Sequence, residues 1–241
     1  MRSSARTRPK DRPVKRQART APPAGGTPGA SAPRGLSKDN RVPLTRERVV
    51  DAAHALIERD GLAKFSTRKL GDMLGVEAMS IYHHFRSKQQ LLDALVDRAV
   101  ASMEMPPADL PPLERLRRVC YAFRDMAHRN RRLFPLIALH RMNTPTGVAM
   151  IESVLALVHE VEPDPERAAR QLRVVGYYVN GAALDETSGY ARGPFAAEPV
   201  DDAYIARHCP HLAQAARYFK EPEWDATFAL GLEALMAGFT K

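Results

Sequence analysis

Tyrosine, histidine and basic side chains cluster in the segment GVEAMSIYHHFRSK, residues 75–88. The adjacent His83 and His84 would suit acid–base chemistry or metal binding if further ligands were close. Neighbouring residues on a helix point about 100° apart, and no Asp, Glu or Cys follows either histidine after three or four positions. We therefore expect no metal site here. A helix that contacts nucleic acid would use the whole set, so the surrounding elements must decide between these chemistries.

Enzymatic chemistry has no other signature in the sequence. A nucleophile elbow, a P-loop and a glycine-rich dinucleotide fingerprint are all missing. The two cysteines, Cys120 and Cys209, lie too far apart for a zinc motif, and we expect ordinary thiols in a reducing compartment. The sequence predicts a protein that is not an enzyme and needs no cofactor.

The hydropathy of the chain indicates a soluble protein. No segment approaches the roughly 18 consecutive apolar residues that a membrane helix needs, and the N-terminus has no apolar signal-peptide core. The 241 residues, 44% of them hydrophobic, suffice for one large domain or two small ones, each with a core. We expect a cytoplasmic protein without a membrane partner.

The net charge of +8 lies in the N-terminal tail. Residues 1–40 contain ten Lys and Arg against two Asp and Glu, and they are rich in Pro, Gly and Ser. Such a segment cannot bury enough apolar surface to offset the entropy lost on ordering, so we predict a disordered tail. The tail could add nonspecific contacts to DNA phosphates, or it could be a solvated leader.

Residues 43–61 predict the first helix. Thr45 is placed to cap its start, and Gly61 is placed to end it. The apolar residues between them recur at helical spacing. The predicted buried face consists of Val49, Val50, Ala53, Leu56 and Ile57.

Two shorter helices and a longer one are predicted to follow. Ser66 caps a second helix of about two turns that ends at Gly75. Its predicted buried edge consists of Leu70, Met73 and Leu74. A third short helix is predicted over residues 78–85. Ser87 and Gln90 then match an S-x-x-Q capping box, which opens a fourth helix.

A short helix, a turn and a second short helix form the helix-turn-helix arrangement, in which the second helix enters the major groove of DNA. The residues predicted to pack inward are Val76, Ile81 and Phe85. Ser80 then faces outward as a hydrogen-bonding group, beside Ala78 and Met79, which suit contact with a thymine methyl group.

Basic and hydroxyl-bearing residues flank this outward face, where the phosphates of a bound duplex would run. The amides at the start of the second helix also favour anions. The predicted phosphate-contacting residues are Thr67, Arg68, Tyr82, His83 and Lys88. Together with Ala78, Met79 and Ser80 they form the predicted DNA surface.

The run STRKLGDMLGVEAMSIYHHFRSKQQLLDAL, residues 66–95, resembles the DNA-binding head of the tetracycline-repressor (TetR) family of bacterial transcriptional regulators. The cap, Leu, Gly-Val, Tyr-x-x-Phe and Lys-x-x-Leu-Leu elements fall in the order typical of that family, and the likeness covers residues 45 to about 100. The resemblance implies contacts to operator DNA by Thr67, Ala78, Met79, Ser80, Tyr82, His83 and Lys88, with Tyr82 and Lys88 on phosphates. Some family members carry longer polar residues where Ala78 and Met79 stand, so sequence-dependent DNA shape is expected to contribute.

A proline-rich linker, MPPADLPP, follows residue 104 and separates the first group of predicted helices from the second. A long helix is predicted to open at Asp164 as the cap and Pro165 as the first residue. The predicted helices of this half cover residues 113–129, 131–142, 146–161, 165–190, 210–219 and 224–239, and residues 192–202 are predicted to form a loop.

The apolar composition of two of these helices predicts a dimer. The helix over residues 165–190 contains Gly176 and Gly181, and WDATFALGLEALMAGF, residues 224–239, is apolar almost all round. Helices that are apolar on more than one face need a second surface to cover them. We predict a two-fold homodimer joined by a four-helix bundle of these two helices from each chain.

The family resemblance also implies a small-molecule effector pocket between the long C-terminal helices, whose occupation moves the fourth helix and changes the spacing of the two heads. The candidate lining residues are Phe123, Phe134, His140, Tyr177, Asn180 and Asp185. Plain core packing is the alternative for the aromatic residues. The run VGYYVNGAALDET, residues 175–187, is similar to the tetracycline-repressor helix that bears a carboxylate near the drug-bound magnesium. This similarity makes Asp185 the candidate for that carboxylate.

The metal-ligating histidine of that tetracycline-binding subgroup has no secure equivalent in this sequence. His140 aligns with it only across a gap, and Pro135 aligns otherwise. We therefore expect an uncharged or amphipathic organic effector rather than tetracycline.

The sequence thus predicts an all-α fold with a three-helix helix-turn-helix head and a helical C-terminal domain. Residues 1–40 form the tail, residues 41–100 the DNA-binding domain, and residues 101–241 the effector-binding and dimerisation domain. The predicted function is ligand-responsive regulation, most simply repression, by a homodimer that binds a near-palindromic operator in double-stranded DNA. A small-molecule effector of unknown identity would release it. The alternative is an architectural protein that binds any duplex through its basic tail.

Overall fold

The computed structural model describes residues 43–189 and 196–240, and every regular element within these ranges is helical. The α-helices are α1 (Arg46–Asp60), α2 (Thr67–Leu74), α3 (Ala78–Tyr82), α4 (Lys88–Ala101), α5 (Pro112–Arg129), α6 (Phe134–Leu139), α7 (Pro145–His159), α8 (Pro165–Ser188), α9 (Asp202–His208), α10 (Pro210–Ala215) and α11 (Trp224–Met236). Short 3₁₀ turns cover Leu62–Lys64, Ala216–Phe219, Glu221–Glu223 and Ala237–Thr240. The predicted all-α class is confirmed. The predicted tail and residues 192–195 of the predicted loop lie outside the described ranges.

Hydroxyl side chains begin three helices of the N-terminal half, as predicted. The Thr45 hydroxyl accepts a hydrogen bond from the backbone N–H of Arg48 at 3.2 Å, at the start of α1. The Ser66 hydroxyl accepts from the N–H of Lys69 at 3.3 Å, and the Ser87 hydroxyl accepts from the N–H of Gln90 at 3.1 Å. Each cap satisfies an amide that the helix itself leaves without a partner, which stabilises the helix by about 1 kcal/mol.

The turn between α2 and α3 is built on two glycines. Gly75 adopts the left-handed conformation at φ 68° and ends α2. The N–H of Val76 donates to the carbonyl of Gly71 at 3.0 Å, and the N–H of Gly75 donates to that of Asp72 at 3.3 Å, the two bonds of a Schellman motif. A methyl group on Gly71 would lie 2.8 Å from the carbonyl oxygen of Val76. Glycine therefore lets the two helices of the motif approach closely.

The prediction that Met73 lies on the buried edge of α2 is wrong, because 47% of this residue is exposed. Leu70 and Gly71 are buried and Leu74 is half-buried. At about 100° per residue these three share one face, and Met73 lies about 110° from its centre. The close approach at Gly71 therefore sets which side of α2 packs against its neighbours.

Several C-terminal elements differ from the sequence predictions. The helix predicted over residues 131–142 is reduced to α6, because the chain turns at Asn130 and leaves helical geometry again at His140, whose backbone is extended with ψ 135°. Asp164 occupies the cap position of α8, but its side chain makes no capping bond. Helix α9 was not predicted. It is a short segment with no buried residue, so it has no apolar periodicity to reveal it.

A core of aromatic and aliphatic side chains joins α5 to α8 and α11. The rings of Tyr121 and Phe228 meet edge to face at 5.2 Å between centroids, and those of Tyr178 and Phe228 stack at 5.5 Å. Such pairs contribute roughly 1 kcal/mol each beyond the area they bury. The Tyr178 hydroxyl donates to the carbonyl of Phe228 at 2.7 Å, which anchors α8 to α11.

One buried ion pair crosses this core. Nε of Arg124 on α5 lies 2.8 Å from Oε2 of Glu186 on α8, and His128 Nε2 lies 2.6 Å from the same oxygen. Arg124 also donates to Asp225 at 2.8 Å, at the start of α11. Burial alone would lower the pKa of Arg124, but its bonds to Glu186 and Asp225 raise that pKa above the ordinary value. The guanidinium therefore stays charged and ties three helices together.

Candidate nucleic-acid interface and internal cavity

The N-terminal end of α3 projects a small apolar and polar surface. Met79 is 67% exposed, and Ala78 and Ser80 beside it are half-buried. On the opposite face Ile81 and Phe85 are each only 1% exposed. The inward packing predicted for these two residues is confirmed, whereas Val76 is only partly buried. The helix therefore turns its short side chains outward, as close approach to base edges requires.

Side chains from α2, α3 and the start of α4 surround this tip. The hydroxyl oxygens of Thr67 and Tyr82 lie 3.5 Å apart, which brings the first turn of α2 next to the end of α3. Arg68, His83 and Lys88 are exposed. The predicted phosphate-contacting residues thus lie on the same connected group of short helices as the tip.

Lys88 is held close to this group before any ligand binds. Its ammonium donates to the backbone carbonyl of Phe65 at 3.3 Å and lies 5.4 Å from the centroid of the Phe65 ring. The contacts limit the directions that a flexible lysine samples, so less side-chain entropy is lost when it contacts a phosphate.

Helix α1 supports the far end of α3. The Arg46 guanidinium lies 4.0 Å from the centroid of the Phe85 ring and donates to the carbonyl of His84 at 2.9 Å. This bond satisfies a carbonyl where α3 has already ended. Among the described residues no group of three or more His, Cys, Asp and Glu could hold a metal ion, and that includes the surroundings of His83 and His84.

The C-terminal half contains a cavity of about 550 Å³ that is open to solvent on one side. Drug-sized ligands occupy pockets of roughly 300–1,000 Å³. The cavity is bordered by the C-terminal end of α4, by α5, by α6 and the segment after it, and by α7 and α8. The lining residues are mostly apolar and include Val100, Met103, Leu116, Val119, Ile137, Met150, Val154, Leu172 and Val179.

Four of the six predicted effector-binding residues line this cavity: Phe123, His140, Tyr177 and Asn180. Phe134 is fully buried and packs edge to face against Phe123, with 5.8 Å between ring centroids, so it supports the wall without forming it. Asp185 is exposed and does not line the cavity. The structure thus brings together the aromatic and amide candidates and separates them from the carboxylate.

The His140 ring is fixed at both nitrogens. Nδ1 accepts a hydrogen bond from the backbone N–H of Met142 at 3.0 Å. Nε2 lies 3.0 Å from Oδ1 of Asp93 on α4 and must carry the proton that this contact needs. His140 therefore links the cavity wall to α4 rather than offering a free nitrogen to a ligand.

A second bond joins the same segment to α4. The Thr144 hydroxyl donates to Oδ1 of Asp97 at 2.5 Å, and it also caps α7 by accepting from Gly147 N at 3.1 Å. Asp93 and Asp97 are four residues apart, so they share one face of α4. Since Val100 and Met103 at the end of α4 line the cavity, its occupant would touch the helix that begins at Lys88.

Four polar residues of this region were not predicted from the sequence: Asp93, Asp97, Arg141 and Arg173. Arg173 lies one turn before Tyr177, and its guanidinium carbon lies 4.6 Å from the centroid of that ring. Helical spacing would have placed it beside Tyr177 and Asn180. Asp93 and Asp97 depend on contacts with residues 47 positions away, for which the sequence offers no local signal, and Arg141 follows the candidate His140 directly.

Apolar side chains also cover the outer faces of α8 and α11. Leu230 is 76% exposed, and Val174 and Tyr177 are exposed on α8. Exposed apolar side chains on two neighbouring helices cost free energy in water. Separately, no helix within the described ranges has the length and apolar character of a membrane span.

Comparison with known proteins gives two family matches. Residues 49–95 match the family described as "Bacterial regulatory proteins, tetR family". Residues 110–241 match "Tetracyclin repressor-like, C-terminal domain". The two matches together cover most of the chain that the structure describes.

Individual relatives agree with these matches. The chain is 30% identical to the HTH-type transcriptional repressor DrrR1 of Streptomyces coeruleorubidus, over 84% of this chain and 79% of that one. It is similar to the structure of a possible TetR family transcriptional regulator from Streptomyces coelicolor A3(2), with a TM-score of 0.68 and 26% identity over 81% and 98% of the two chains. It is also similar to a TetR variant from Acinetobacter baumannii AYE in complex with minocycline, with a TM-score of 0.62 and 26% identity over 82% and 97%.

Proposed function

This chain belongs to the tetracycline-repressor family of bacterial transcriptional regulators, and we propose that it binds near-palindromic operator DNA as a homodimer. Its simplest role is repression, which ends when a small-molecule effector fills the C-terminal cavity. Residues 41–100 are assigned to DNA binding, and residues 101–241 to effector binding and dimerisation. The observation that carries the proposal is the exposed tip of α3, held by a capped and tightly turned helix pair.

Direct contact with base edges is assigned to Ala78, Met79 and Ser80. The exposed thioether chain of Met79 suits a thymine methyl group, and the Ser80 hydroxyl suits a base acceptor or donor. The residues assigned to phosphates or their flanks are Thr67, Arg68, Tyr82, His83 and Lys88. These contacts fix the register of the helix without reading sequence.

Dimerisation is supported by the outer faces of α8 and α11. Packing the side chains of Val174 and Leu230 against a second copy would remove this apolar surface from water, at about 25 cal/mol per Å². One copy reads only a few base pairs, whereas two copies related by a dyad read two half-sites one helical turn apart. The same symmetry therefore covers the apolar face and accounts for a near-palindromic operator.

Effector control is proposed to pass through α4. The cavity touches the end of this helix at Val100 and Met103, and the segment from His140 to Thr144 is bonded to its middle at Asp93 and Asp97. A ligand that displaces this segment would move α4, and with it Lys88 and the spacing of the two heads. The required coupling is a difference in ligand affinity between two head spacings, typically about 1–3 kcal/mol.

An amphipathic organic effector fits the cavity better than tetracycline does. A tetracycline-type site would need the Asp185 carboxylate and a free histidine nitrogen near the ligand. Here Asp185 is outside the cavity, and His140 is engaged by Asp93 and Met142. The minocycline complex concerns a relative, and it supports only the general idea that this fold accepts organic molecules.

Electrophoretic mobility shift tests the proposal on the DNA upstream of the gene that encodes this chain. We expect a shift that survives competitor DNA and about 200 mM salt, because base contacts and not charge alone then hold the complex. Loss of the shift under competition would contradict a sequence-selective regulator.

Removal of residues 1–40 separates the regulator from the architectural alternative. The truncated chain keeps every described contact of the α2–α3 surface, so selective binding should survive. An architectural protein would lose most of its affinity for any duplex, since the excess positive charge lies in these residues.

A further inference from the structure

The charge of the cavity lining is one-sided. Arg141 and Arg173 line it, and among the described residues that form its wall there is no Asp or Glu. The carboxylate nearest to His140 is that of Asp93, which belongs to α4 and is bonded to Nε2 of the histidine. A ligand inside the cavity therefore meets cationic groups that no wall carboxylate neutralises.

Arg141 and Arg173 also differ from the ion-paired arginines of the C-terminal half. Neither forms an ion pair with any residue that the structure describes. Carboxylates lie within 2.6–2.9 Å of six others. These paired residues are Arg115, Arg117, Arg118, Arg124, Arg167 and Arg170. In a region this rich in acidic partners, two cavity-lining guanidinium groups are left available.

Arg173 is oriented by its neighbour. Its guanidinium carbon lies 4.6 Å from the centroid of the Tyr177 ring, and both residues line the cavity. The N–H donors of a guanidinium lie in its plane, so the contact with the ring face occupies none of them. Two parallel donors of this kind match the two oxygens of a carboxylate or a related oxyanion.

The apolar walls add a second preference, for the body of the ligand. Arg141 and Arg173 are exposed, so solvent partly screens their attraction to an anion, while the apolar side chains accommodate an apolar ligand body. The ligand must also fill about 550 Å³ of largely apolar space, which a small inorganic anion does not.

We propose that the effector is an organic anion with an apolar ring body, whose carboxylate or similar oxyanion binds Arg141 and Arg173 at the cavity wall. The inference rests on the proposed role of this cavity as the effector site. The proposal restricts the expected effector from amphipathic molecules in general to those that carry a negative charge.

Isothermal titration calorimetry of the full-length protein, without DNA, tests the proposal with three anthraquinones. They share the tricyclic body and carry a carboxylate, a hydroxymethyl or an aminomethyl group. We expect the carboxylate to bind at least tenfold more tightly than the other two at neutral pH. Sodium acetate, an anion without the ring body, should not bind measurably.

Substitutions then identify the groups responsible. Arg141→Gln and Arg173→Gln should each weaken carboxylate binding roughly five- to thirtyfold and change alcohol binding less than twofold. Arg170→Gln is the matched control, because Arg170 lies on the same helix, is paired with Glu166 and does not line the cavity. It should leave both affinities unchanged.

Three outcomes would overturn the proposal: equal or tighter binding of the alcohol or amine, unchanged carboxylate affinity in both arginine variants, or no binding of any ring compound. Because no DNA is present, these outcomes are independent of operator recognition. A protein that prefers the carboxylate but shows no selective mobility shift would contradict the proposed regulator and leave the charge preference standing.

Discussion

Replacing Lys88 by Gln should weaken binding to every duplex by nearly the same factor. The ammonium is exposed, is held near the Phe65 carbonyl at 3.3 Å, and lies beside the α2–α3 surface without reaching the tip at Met79. A group in this place neutralises a phosphate and reads no base. Selectivity between operator and random DNA should therefore remain.

The size of the effect of Lys88→Gln on DNA binding follows from the salt dependence of binding. Each neutralised phosphate contributes about 0.9 to the steepness of the slope of log K against log[salt]. For a dimer that loses two phosphate contacts, this slope should therefore become shallower by about 1.8. Between 100 and 300 mM KCl the unaltered protein should lose about sevenfold more affinity than the Lys88→Gln variant does.

Met79→Ala should weaken binding to the operator but not to random DNA, in contrast to Lys88→Gln. The side chain is uncharged and 67% exposed, so its removal takes apolar contact away from the operator without changing the salt slope. A loss of about 1 kcal/mol per half-site corresponds to roughly thirtyfold weaker operator binding by the dimer. Binding to random duplex should change little.

Fluorescence anisotropy measures both effects, with an operator selected from a random duplex pool. Lys220→Gln is the matched control, because it makes the same charge change between α10 and α11. An unchanged slope in Lys88→Gln, or a loss of selectivity in that variant, would refute the assignment of Lys88 to a phosphate. Equal weakening on all DNA by Met79→Ala would refute the assignment of α3 to base recognition.

Three further predictions concern the fold, the dimer and the cavity. Gly71→Ala places a methyl group 2.8 Å from the Val76 carbonyl oxygen and should lower the free energy of unfolding by about 1–3 kcal/mol in urea titrations. Gly176→Ala, which meets no atom within 4 Å, should be neutral or stabilising, and equal effects would contradict close α2–α3 packing. Leu230→Glu should convert the dimer to monomer in sedimentation velocity runs, whereas Leu139→Glu, at an exposed position on α6, should not. Burial raises the pKa of the Cys120 thiol to about 12, so iodoacetamide at pH 8 should label it roughly a thousandfold more slowly than an ordinary thiol, as followed by peptide mass spectrometry. Cys120 lines the cavity, so rapid labelling would show that the cavity wall opens.

Features that depend on a few adjacent residues could be predicted from the sequence. The caps at Thr45, Ser66 and Ser87 require only a hydroxyl side chain and an amide three residues later, and the structure has all three. The end of α2 at Gly75 likewise follows from one residue that tolerates positive φ. Because α3 follows this turn directly, its inward and outward faces were also accessible from spacing, as Ile81 and Phe85 show.

Features set by distant contacts could not be predicted in the same way. Met73 has the spacing of a buried residue, but the close packing at Gly71 turns it outward. The bonds from His140 to Asp93 and from Thr144 to Asp97 each join residues 47 positions apart, so no local pattern reveals them. The separation of Asp185 from the cavity depends in the same way on how α8 crosses its neighbours.

Hydroxyl-radical footprinting on the selected operator tests most directly whether a dimer presents two α3 helices to successive major grooves on one side of the duplex. Protection should appear as two symmetric tracts whose centres are about one helical turn, roughly 34–36 Å, apart. A single protected tract, or uniform protection without symmetry, would contradict dyad-related recognition by α3.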